Sequence, residues 1–268
     1  MLEYKLICTD IDGTLLHPDG TITERTKKAI KEAYTKGIIV ALVSGRLSHS
    51  LRLLQKELDI TGPLGCFNGS LILDEAGTEI EAHPLDLQTY EKLLCFLFDN
   101  NVEHSVFTNE RWFMREKNAW YDVEVQTSHI EGNVHALERL SKIMHPNERV
   151  FKVLVMDENP STIQVLQEKL IKQFGQSLNI FNSSVRYIEI LARGIDKGHA
   201  VRSLCKTYAI DASEVISIGD YYNDIGMFRA SGYAVAMDNA PDLVKKHAHY
   251  ITKSNREEGL ALAIESII

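Results

Sequence analysis

The sequence predicts an α/β fold in which helices pack on both faces of a doubly wound, mainly parallel sheet, with a smaller α+β module inserted into it. Short apolar runs that end in small or polar residues recur along the 268-residue chain, and segments with helical periodicity lie between several of them. Runs of this length without strict alternation are typical of strands buried on both faces of a parallel sheet. Strands that alternate with helices in this way indicate a doubly wound sheet.

The predicted elements of the parallel sheet lie towards both ends of the chain. The predicted strands are residues 6–8, 38–43, 64–67, 215–218, 233–237 and a short run around 250–251. The predicted helices between them are residues 23–36, 47–58, 197–209 and 223–230. Thr23 suits the N-cap of the first helix, and Gly37 suits its end.

The middle of the chain has a different pattern. Residues 69–81 predict a hairpin that turns at 74–77, and Pro84 follows it. A predicted amphipathic helix at 86–100 is followed by strand-like runs at 102–108 and 112–115. Two further runs, at 150–156 and 185–191, bracket a predicted helix after Pro160. Paired strands with separate helices predict an inserted module at 84–191, so that residues 1–83 and 192–268 form one core.

Composition restricts the class of protein. The chain is 44% hydrophobic and 25% charged, which is ordinary for a globular protein, and its length suits one large domain plus a smaller one. A formal net charge of −8 argues against nucleic acid as a partner, because binding a polyanion needs clustered Lys and Arg. The N-terminus does not resemble a signal peptide, no segment is apolar enough to span a membrane, and the four cysteines lack zinc spacing. These features predict a cytoplasmic protein.

The first motif whose residue types suit catalysis is Asp10-Ile11-Asp12-Gly13-Thr14, directly after the first predicted strand. Ligand sites of parallel sheets lie at the carboxyl ends of strands. Two carboxylates at this spacing can divide the work, one attacking an electrophile and the other moving a proton. The alternative is a solvated acidic turn. An EF-hand is disfavoured, because Gly13 is the fourth residue of the motif rather than the sixth.

The second motif is Gly219-Asp220-Tyr221-Tyr222-Asn223-Asp224, again directly after a predicted strand. Its hard oxygen ligands suit Mg²⁺. The alternative is a helix N-cap formed by Asn223 or Asp224. That alternative weakens because both acidic motifs end predicted strands.

Three further signals point to an anion. Ser44-Gly45-Arg46 ends a strand and opens a helix, where a hydroxyl group and free N–H groups can bind an anion, although a Ser N-cap is common. Lys197 stands at a predicted helix start, which is unfavourable unless an anion neutralises it, and a surface lysine is the alternative. Asn68 is a weaker signal at the end of another strand. Together these residue types suit phosphoryl transfer.

The order of the motifs, D-x-D-G-T, S-G-R, K-G and G-D-x-x-N-D, resembles that of the haloacid dehalogenase-like (HAD) superfamily of phosphatases. The large insert before the lysine resembles the Cof-type branch, whose cap is of type IIB. The resemblance implies a HAD-like Rossmannoid core with an inserted cap that chooses the substrate. It also implies a Mg²⁺-dependent phosphatase that hydrolyses small organic phosphate monoesters, such as sugar phosphates, through an aspartyl-phosphate.

The resemblance also implies a role for each matching residue. Asp10 is expected to be the nucleophile, and Asp12 the general acid and base. The residues expected at the Mg²⁺ are Asp10, Asp12, Asp220 and Asp224. The residues expected at the phosphate are Thr14, Ser44, Gly45, Lys197 and Asn223, with Arg46 and Asn68 as possible substrate contacts.

Two other functions remain open on the same fold. One is a phosphomutase-type phosphotransferase, which must retain its phosphorylated intermediate. The other is a binding module without catalysis, against which the intact Asp10, Asp12, Lys197 and Asp220 argue. The expected partner is a small phosphorylated metabolite rather than nucleic acid or membrane, and the expected assembly is a monomer or homodimer.

Overall fold

The computed structural model describes residues 4–268, except for the side chain of residue 141, and these residues form two compact units. The first unit contains the described residues as far as Arg46, with Leu51–Ala82 and Asp196–Ile268. The second contains Leu47–Ser50 and His83–Ile195. Within the described part of the chain, no helix has the combined length and hydrophobicity that crossing a bilayer requires.

The elements as far as Ala82 follow the predicted alternation of strands and helices. In chain order they are β1 (Leu6–Thr9), α1 (Glu24–Thr35), β2 (Ile39–Val43), α2 (Ser48–Glu57), β3 (Leu64–Cys66), β4 (Leu71–Leu73) and β5 (Glu79–Ala82). An irregular turn at Ile11–Leu15 follows β1, in which Asp12 and Gly13 have non-helical backbone angles, and a turn at Phe67–Gly69 follows β3, in which Asn68 has a positive φ. Thr23 caps α1 by accepting a hydrogen bond from the Thr26 N–H, as its position predicted.

The main segment of the second unit is an α+β arrangement. Its elements are α3 (Leu87–Asp99), β6 (His104–Thr108), β7 (Trp112–Met114), α4 (Ala119–Ser128), β8 (Asn133–Val134), β9 (Val150–Met156), α5 (Pro160–Phe174), β10 (Leu178–Ser184) and β11 (Tyr187–Ala192). A 3₁₀ helix at Leu137–Lys142 lies between β8 and β9. The sequence patterns did not predict α4 or β10.

The remaining elements return to the first unit. They are α6 (Lys197–Tyr208), β12 (Val215–Gly219), α7 (Ile225–Ala230), β13 (Tyr233–Ala236), α8 (Asp242–Lys245), β14 (Tyr250–Ile251) and α9 (Gly259–Ile267). Short 3₁₀ turns lie at Ala212–Glu214, Tyr222–Asp224 and Asn255–Glu257.

The sheet of the first unit has the strand order β14-β13-β12-β1-β2-β3-β4-β5. Strands β14 to β3 pair in parallel, and β4 and β5 extend the sheet as an antiparallel hairpin. All residues of β1 are buried, so that both of its faces are covered. Leu6 and Cys8 pack in a core with Val201 and Leu204 of α6. The predicted α/β fold class is confirmed.

The sheet of the second unit has the order β10-β11-β9-β6-β7-β8 and is antiparallel apart from the short β7–β8 pair. Apolar residues of α3 and α5, among them Leu93 and Ile163, form a core with Val153 and Ile188 of the central strands. This unit therefore has its own hydrophobic core, as an independent domain requires.

Candidate active site

Two neighbouring strands bring the predicted acidic residues together. Asp10 directly follows β1, and Asp220 and Asp224 follow β12, which pairs with β1 in parallel so that Thr9 lies opposite Ile218. The carboxyl ends of the two strands therefore meet at one edge of the sheet. Carboxylate oxygens of Asp10, Asp220 and Asp224 lie within 4.8 Å of one another. We refer to these three residues as the carboxylate cluster.

Lys197 supplies an ammonium group to this cluster. Its Nζ lies 2.5 Å from Asp10 Oδ1 and 2.6 Å from Asp224 Oδ1, and the residue is 1% exposed. Asp196 caps α6, which places Lys197 in the first turn, where a cation opposes the helix dipole. Burial by itself lowers the pKa of Lys197, but Asp10 and Asp224 outweigh this effect and leave the pKa above its ordinary value. The two carboxylates thus hold a charged lysine at an otherwise unfavourable position.

One ammonium group does not balance three carboxylates. Burial, and then repulsion from Asp224, raise the pKa of Asp10 well above its ordinary value, although Lys197 opposes the shift. The same two causes raise the pKa of Asp220 to about 7. If all three carboxylates are ionised, the one ammonium group leaves two negative charges unbalanced. All of the atoms that the carboxylates offer to a metal are oxygens. A divalent cation that prefers hard oxygen ligands, such as Mg²⁺, fits this donor set.

Asp224 also fixes the loop after β12. Its Oδ2 accepts hydrogen bonds from the backbone N–H groups of Asp220, at 2.8 Å, and Tyr221, at 2.9 Å. Asp224 therefore does not cap α7 with its side chain, which was the alternative considered from the sequence, but bonds back to the residues before it as the last residue of the 3₁₀ turn at Tyr222–Asp224. Its other oxygen contacts Lys197. One fully buried side chain both shapes the loop and belongs to the carboxylate cluster.

The loop after β1 packs closely against Asp220. The hydroxyl group of Thr14, which we expected at the phosphate, donates a hydrogen bond of 3.0 Å to Asp220 Oδ1. Gly13 has φ +84°, and a Cβ at this position would lie 2.3 Å from Asp220 Oδ2. Only glycine satisfies both the left-handed backbone and the close approach.

Asp12 lies outside the buried cluster, with a side chain that is 54% exposed. Arg46 donates two hydrogen bonds to its carboxylate, from Nε to Oδ2 at 2.9 Å and from a terminal nitrogen to Oδ1 at 2.5 Å. This bidentate geometry is strong and directional. Arg46, which we expected near the phosphate or leaving group, therefore positions Asp12 in this structure.

The remaining predicted residues lie at the ends of β2, β3 and β12. The Ser44 carbonyl accepts a hydrogen bond of 2.9 Å from the Asn68 N–H, and the Ser44 hydroxyl accepts one of 3.3 Å from the Arg46 N–H across Gly45. The Asn223 side chain donates a hydrogen bond of 3.1 Å to Asn68 Oδ1. Asn68 has φ +54°, a left-handed conformation that costs on the order of 1 kcal/mol and persists where the surroundings enforce it.

Asn239, which no sequence motif indicated, also contacts this site. Its amide nitrogen donates to Asp220 Oδ2 at 3.1 Å and to the Gly13 carbonyl at 2.9 Å. Asn239 follows β13, the parallel neighbour of β12, so it lies at the same edge of the sheet. The available signal was a polar residue just beyond a predicted strand, without a recognisable motif around it.

Known proteins resemble this chain over almost its whole length. A sequence profile of the haloacid dehalogenase-like hydrolases matches residues 7–264. Two Bacillus subtilis proteins, both named 5-amino-6-(5-phospho-D-ribitylamino)uracil phosphatase, each match 98% of the chain. One is 32% identical over 268 residues and is covered over 95% of its length. The other is 26% identical over 284 residues and is covered over 98% of its length.

Solved structures give the same result for the fold. A haloacid dehalogenase-like hydrolase from Bacteroides thetaiotaomicron superposes with a TM-score of 0.89 and 28% identity, covering 99% of this chain and 100% of that one. A subclass IIB sugar phosphatase superposes with a TM-score of 0.84, covering 98% of both chains. At 20% identity, the second match shows similarity of fold alone.

Proposed function

Because the chain belongs to the haloacid dehalogenase-like hydrolases and its named relatives are phosphatases, we propose that it hydrolyses small organic phosphate monoesters through a phosphorylated Asp10. The observation that carries this proposal is the buried contact of Lys197 with Asp10 in a carboxylate cluster that lacks positive charge. A phosphate dianion and a carboxylate nucleophile repel each other, so a site for this reaction must supply cations.

In the first proposed step, an Asp10 carboxylate oxygen attacks phosphorus, the bond from phosphorus to the ester oxygen breaks, and an acyl phosphate forms. The Asp10 N–H donates a hydrogen bond of 2.9 Å to the Ile218 carbonyl, which fixes the backbone of the nucleophile to β12. Lys197 holds Asp10 Oδ1 and offsets negative charge beside it. In the second step, water attacks the acyl phosphate and releases inorganic phosphate and the free carboxylate.

Proton transfer is assigned to Asp12. A departing alkoxide needs a proton, and the water of the second step must lose one. The Asp12 carboxylate is half exposed, so it can exchange protons with solvent, while Arg46 keeps it in one orientation. Asp12 would act first as the acid and then as the base.

The metal proposed for this site is Mg²⁺. Asp10, Asp220, Asp224 and the Asp12 carbonyl would hold it, and when bound it supplies charge neutralisation for the phosphoryl oxygens. Ser44, Gly45 and Asn223 are proposed to contact the phosphate, and Asn68 the phosphate or the leaving group. Each of these four residues belongs to the first unit.

We propose that the second unit is the cap that selects the leaving group. The candidate catalytic residues belong to the first unit, and the reaction proposed for them is common to phosphate monoesters in general. The two Bacillus subtilis relatives are named for a phosphorylated ribityl compound, which makes this ester and simple sugar phosphates the first candidates for the substrate.

A panel of phosphate monoesters, including these candidates, tests the proposal through the release of inorganic phosphate in the presence of Mg²⁺. We expect turnover of at least one ester, without transfer of the phosphate to a second sugar. Beryllium fluoride with Mg²⁺ should form an adduct of Asp10, visible by fluorine NMR and absent from Asp10→Asn. Transfer without release would favour a phosphomutase. Absence of both turnover and adduct would favour a binding module.

A further inference from the structure

Asn239 joins three segments of the first unit. Its amide nitrogen contacts the Gly13 carbonyl and Asp220 Oδ2, and its amide oxygen accepts a hydrogen bond of 3.0 Å from the Asn255 N–H. These contacts connect the loop after β1 and the loop after β12 with a turn near the C-terminus. One neutral side chain therefore lies against both acidic motifs.

The orientation of the Asn239 amide is determined by its partners. A backbone carbonyl can only accept a hydrogen bond, and a backbone N–H can only donate one. Exchanging the amide nitrogen and oxygen would therefore place two acceptors together at Gly13 and two donors together at Asn255. The nitrogen must face Asp220.

Asp220 is consequently held through both of its carboxylate oxygens. Thr14 donates to Oδ1 and Asn239 donates to Oδ2. Two donors on opposite oxygens fix the rotation of the carboxylate plane. They leave the remaining lone pairs of each oxygen in defined directions, which is what a cation with strict octahedral geometry requires of a ligand.

We infer that Asn239 is a positioning residue that orients Asp220 and thereby sets the affinity of the carboxylate cluster for Mg²⁺. This inference rests on the metal site of the proposed function. Hydrogen-bonding partners of metal ligands typically change metal affinity or activity by about 10–100-fold when they are replaced. Asn239 acts through its hydrogen bond to Asp220, and we assign it no contact with the phosphate.

The test is Mg²⁺ binding by calorimetry, measured without substrate on the full chain. Asn239→Leu preserves the approximate size of the side chain but replaces the donor to Asp220 with an apolar group. We expect the Kd for Mg²⁺ to rise by about 10–100-fold, and the Mg²⁺-induced increase in Tm to shrink. Asn239→Ala removes the donor too, so its Kd should rise as well. It also supplies the measurement if the first variant does not fold.

Asn255→Ala is the matched control. The Asn255 side chain donates a hydrogen bond of 2.8 Å to the Leu16 carbonyl, whereas its contact with Asn239 uses only the backbone. This variant loosens the same loop while the donor to Asp220 remains, so its Kd should stay within about twofold to threefold of the wild type.

The outcomes separate this inference from the proposed function. An unchanged or tighter Kd in folded Asn239 variants overturns the inference alone. A loss in Asn255→Ala as large as that in Asn239→Leu also overturns it, because the effect would then come from the loop. A wild-type protein that does not bind Mg²⁺ instead refutes the metal site of the proposed function.

Discussion

Buried carboxylates occur in both units of this protein, in opposite electrostatic states. In the second unit, the fully buried Glu148 accepts hydrogen bonds from Arg111 at 2.8 and 3.0 Å, from the Thr108 hydroxyl at 2.6 Å and from the His145 N–H at 3.0 Å. Burial alone would raise its pKa, but these contacts outweigh burial and leave the pKa lowered. In the first unit, burial and mutual repulsion prevail, and the pKa values of Asp10 and Asp220 are raised.

The difference lies in the positive charge that is available to each carboxylate. Glu148 has a guanidinium group of its own and two neutral donors, so the second unit satisfies the charge that it buries. In the first unit, three carboxylates share one ammonium group. A group of buried charges that is stable by itself indicates a structural role, whereas one that needs an added cation indicates a binding site.

The largest expected effect is a loss of activity without a loss of thermal stability. Asp10→Asn should reduce phosphate release by about 10⁴-fold or more, because an amide is a poor nucleophile. The same change removes a repelled charge, so the Tm of the metal-free protein should not fall. Steady-state kinetics and thermal unfolding measure the two effects, with the exposed Asp99→Asn as control. Activity above a few per cent of wild type would refute the assignment of the nucleophile.

Removal of the metal should have the next largest effect. Chelation with EDTA should abolish phosphate release, because the carboxylate cluster would again repel the phosphate, and added Mg²⁺ should restore it. Excess Ca²⁺ should inhibit, since it prefers more ligands and a looser geometry. Full activity after exhaustive chelation would contradict the metal site, and with it the contrast between the two units.

The converse experiment acts on the second unit. Glu148→Gln should lower the free energy of unfolding by about 2–3 kcal/mol, because it leaves Arg111 without its carboxylate partner. Urea unfolding measures this change, with the more exposed Glu110→Gln as control. The lowered pKa means that the contribution of Glu148 is present at neutral pH and is lost as pH falls through its folded-state pKa. The deficit of the variant should therefore shrink in acid.

The smallest expected effect has the opposite sign. Because the pKa of Asp220 is raised to about 7, the folded protein retains a proton that the unfolded chain has already released between about pH 4 and 7. Stability without metal should therefore decline as pH rises through this range. Asp220→Asn should make this decline shallower, and the part that remains is due to Asp10, whose pKa is also raised. Thermal unfolding of the metal-free proteins across this pH range measures the two slopes. An unchanged slope would contradict the raised pKa of Asp220.

The sequence was sufficient to predict that the two acidic motifs lie close together, but not to predict all of their side-chain contacts. Asp10 and Asp220 each follow a buried strand, and parallel strands that are adjacent bring such positions to one edge. The bidentate pair of Arg46 with Asp12 could not be predicted, because it depends on the conformations of two loops that are distant in sequence. Asn239 was missed for the same reason, since only the fold places it against Asp220.

The missed elements of the second unit have local causes. In α4, only Tyr121 and Ser128 are buried, so the helix has no continuous apolar stripe to reveal its period. Strand β10 contains two serines together with Asn179 and Asn182, and asparagine is depleted in strands. This segment is therefore a strand because it pairs with β11, and not because its own residues favour strands.

The polar composition of β10 has a consequence for the behaviour of the protein in concentrated solution. This strand forms one edge of its sheet, where unpaired backbone groups can recruit a strand from another molecule and begin aggregation. Asn182 and Ser184 flank an irregularity in its register, and bulges of this kind twist an edge away from further pairing. Replacing its polar residues with valine would make the strand easy to recognise in the sequence, and would remove the protection that keeps neighbouring molecules apart.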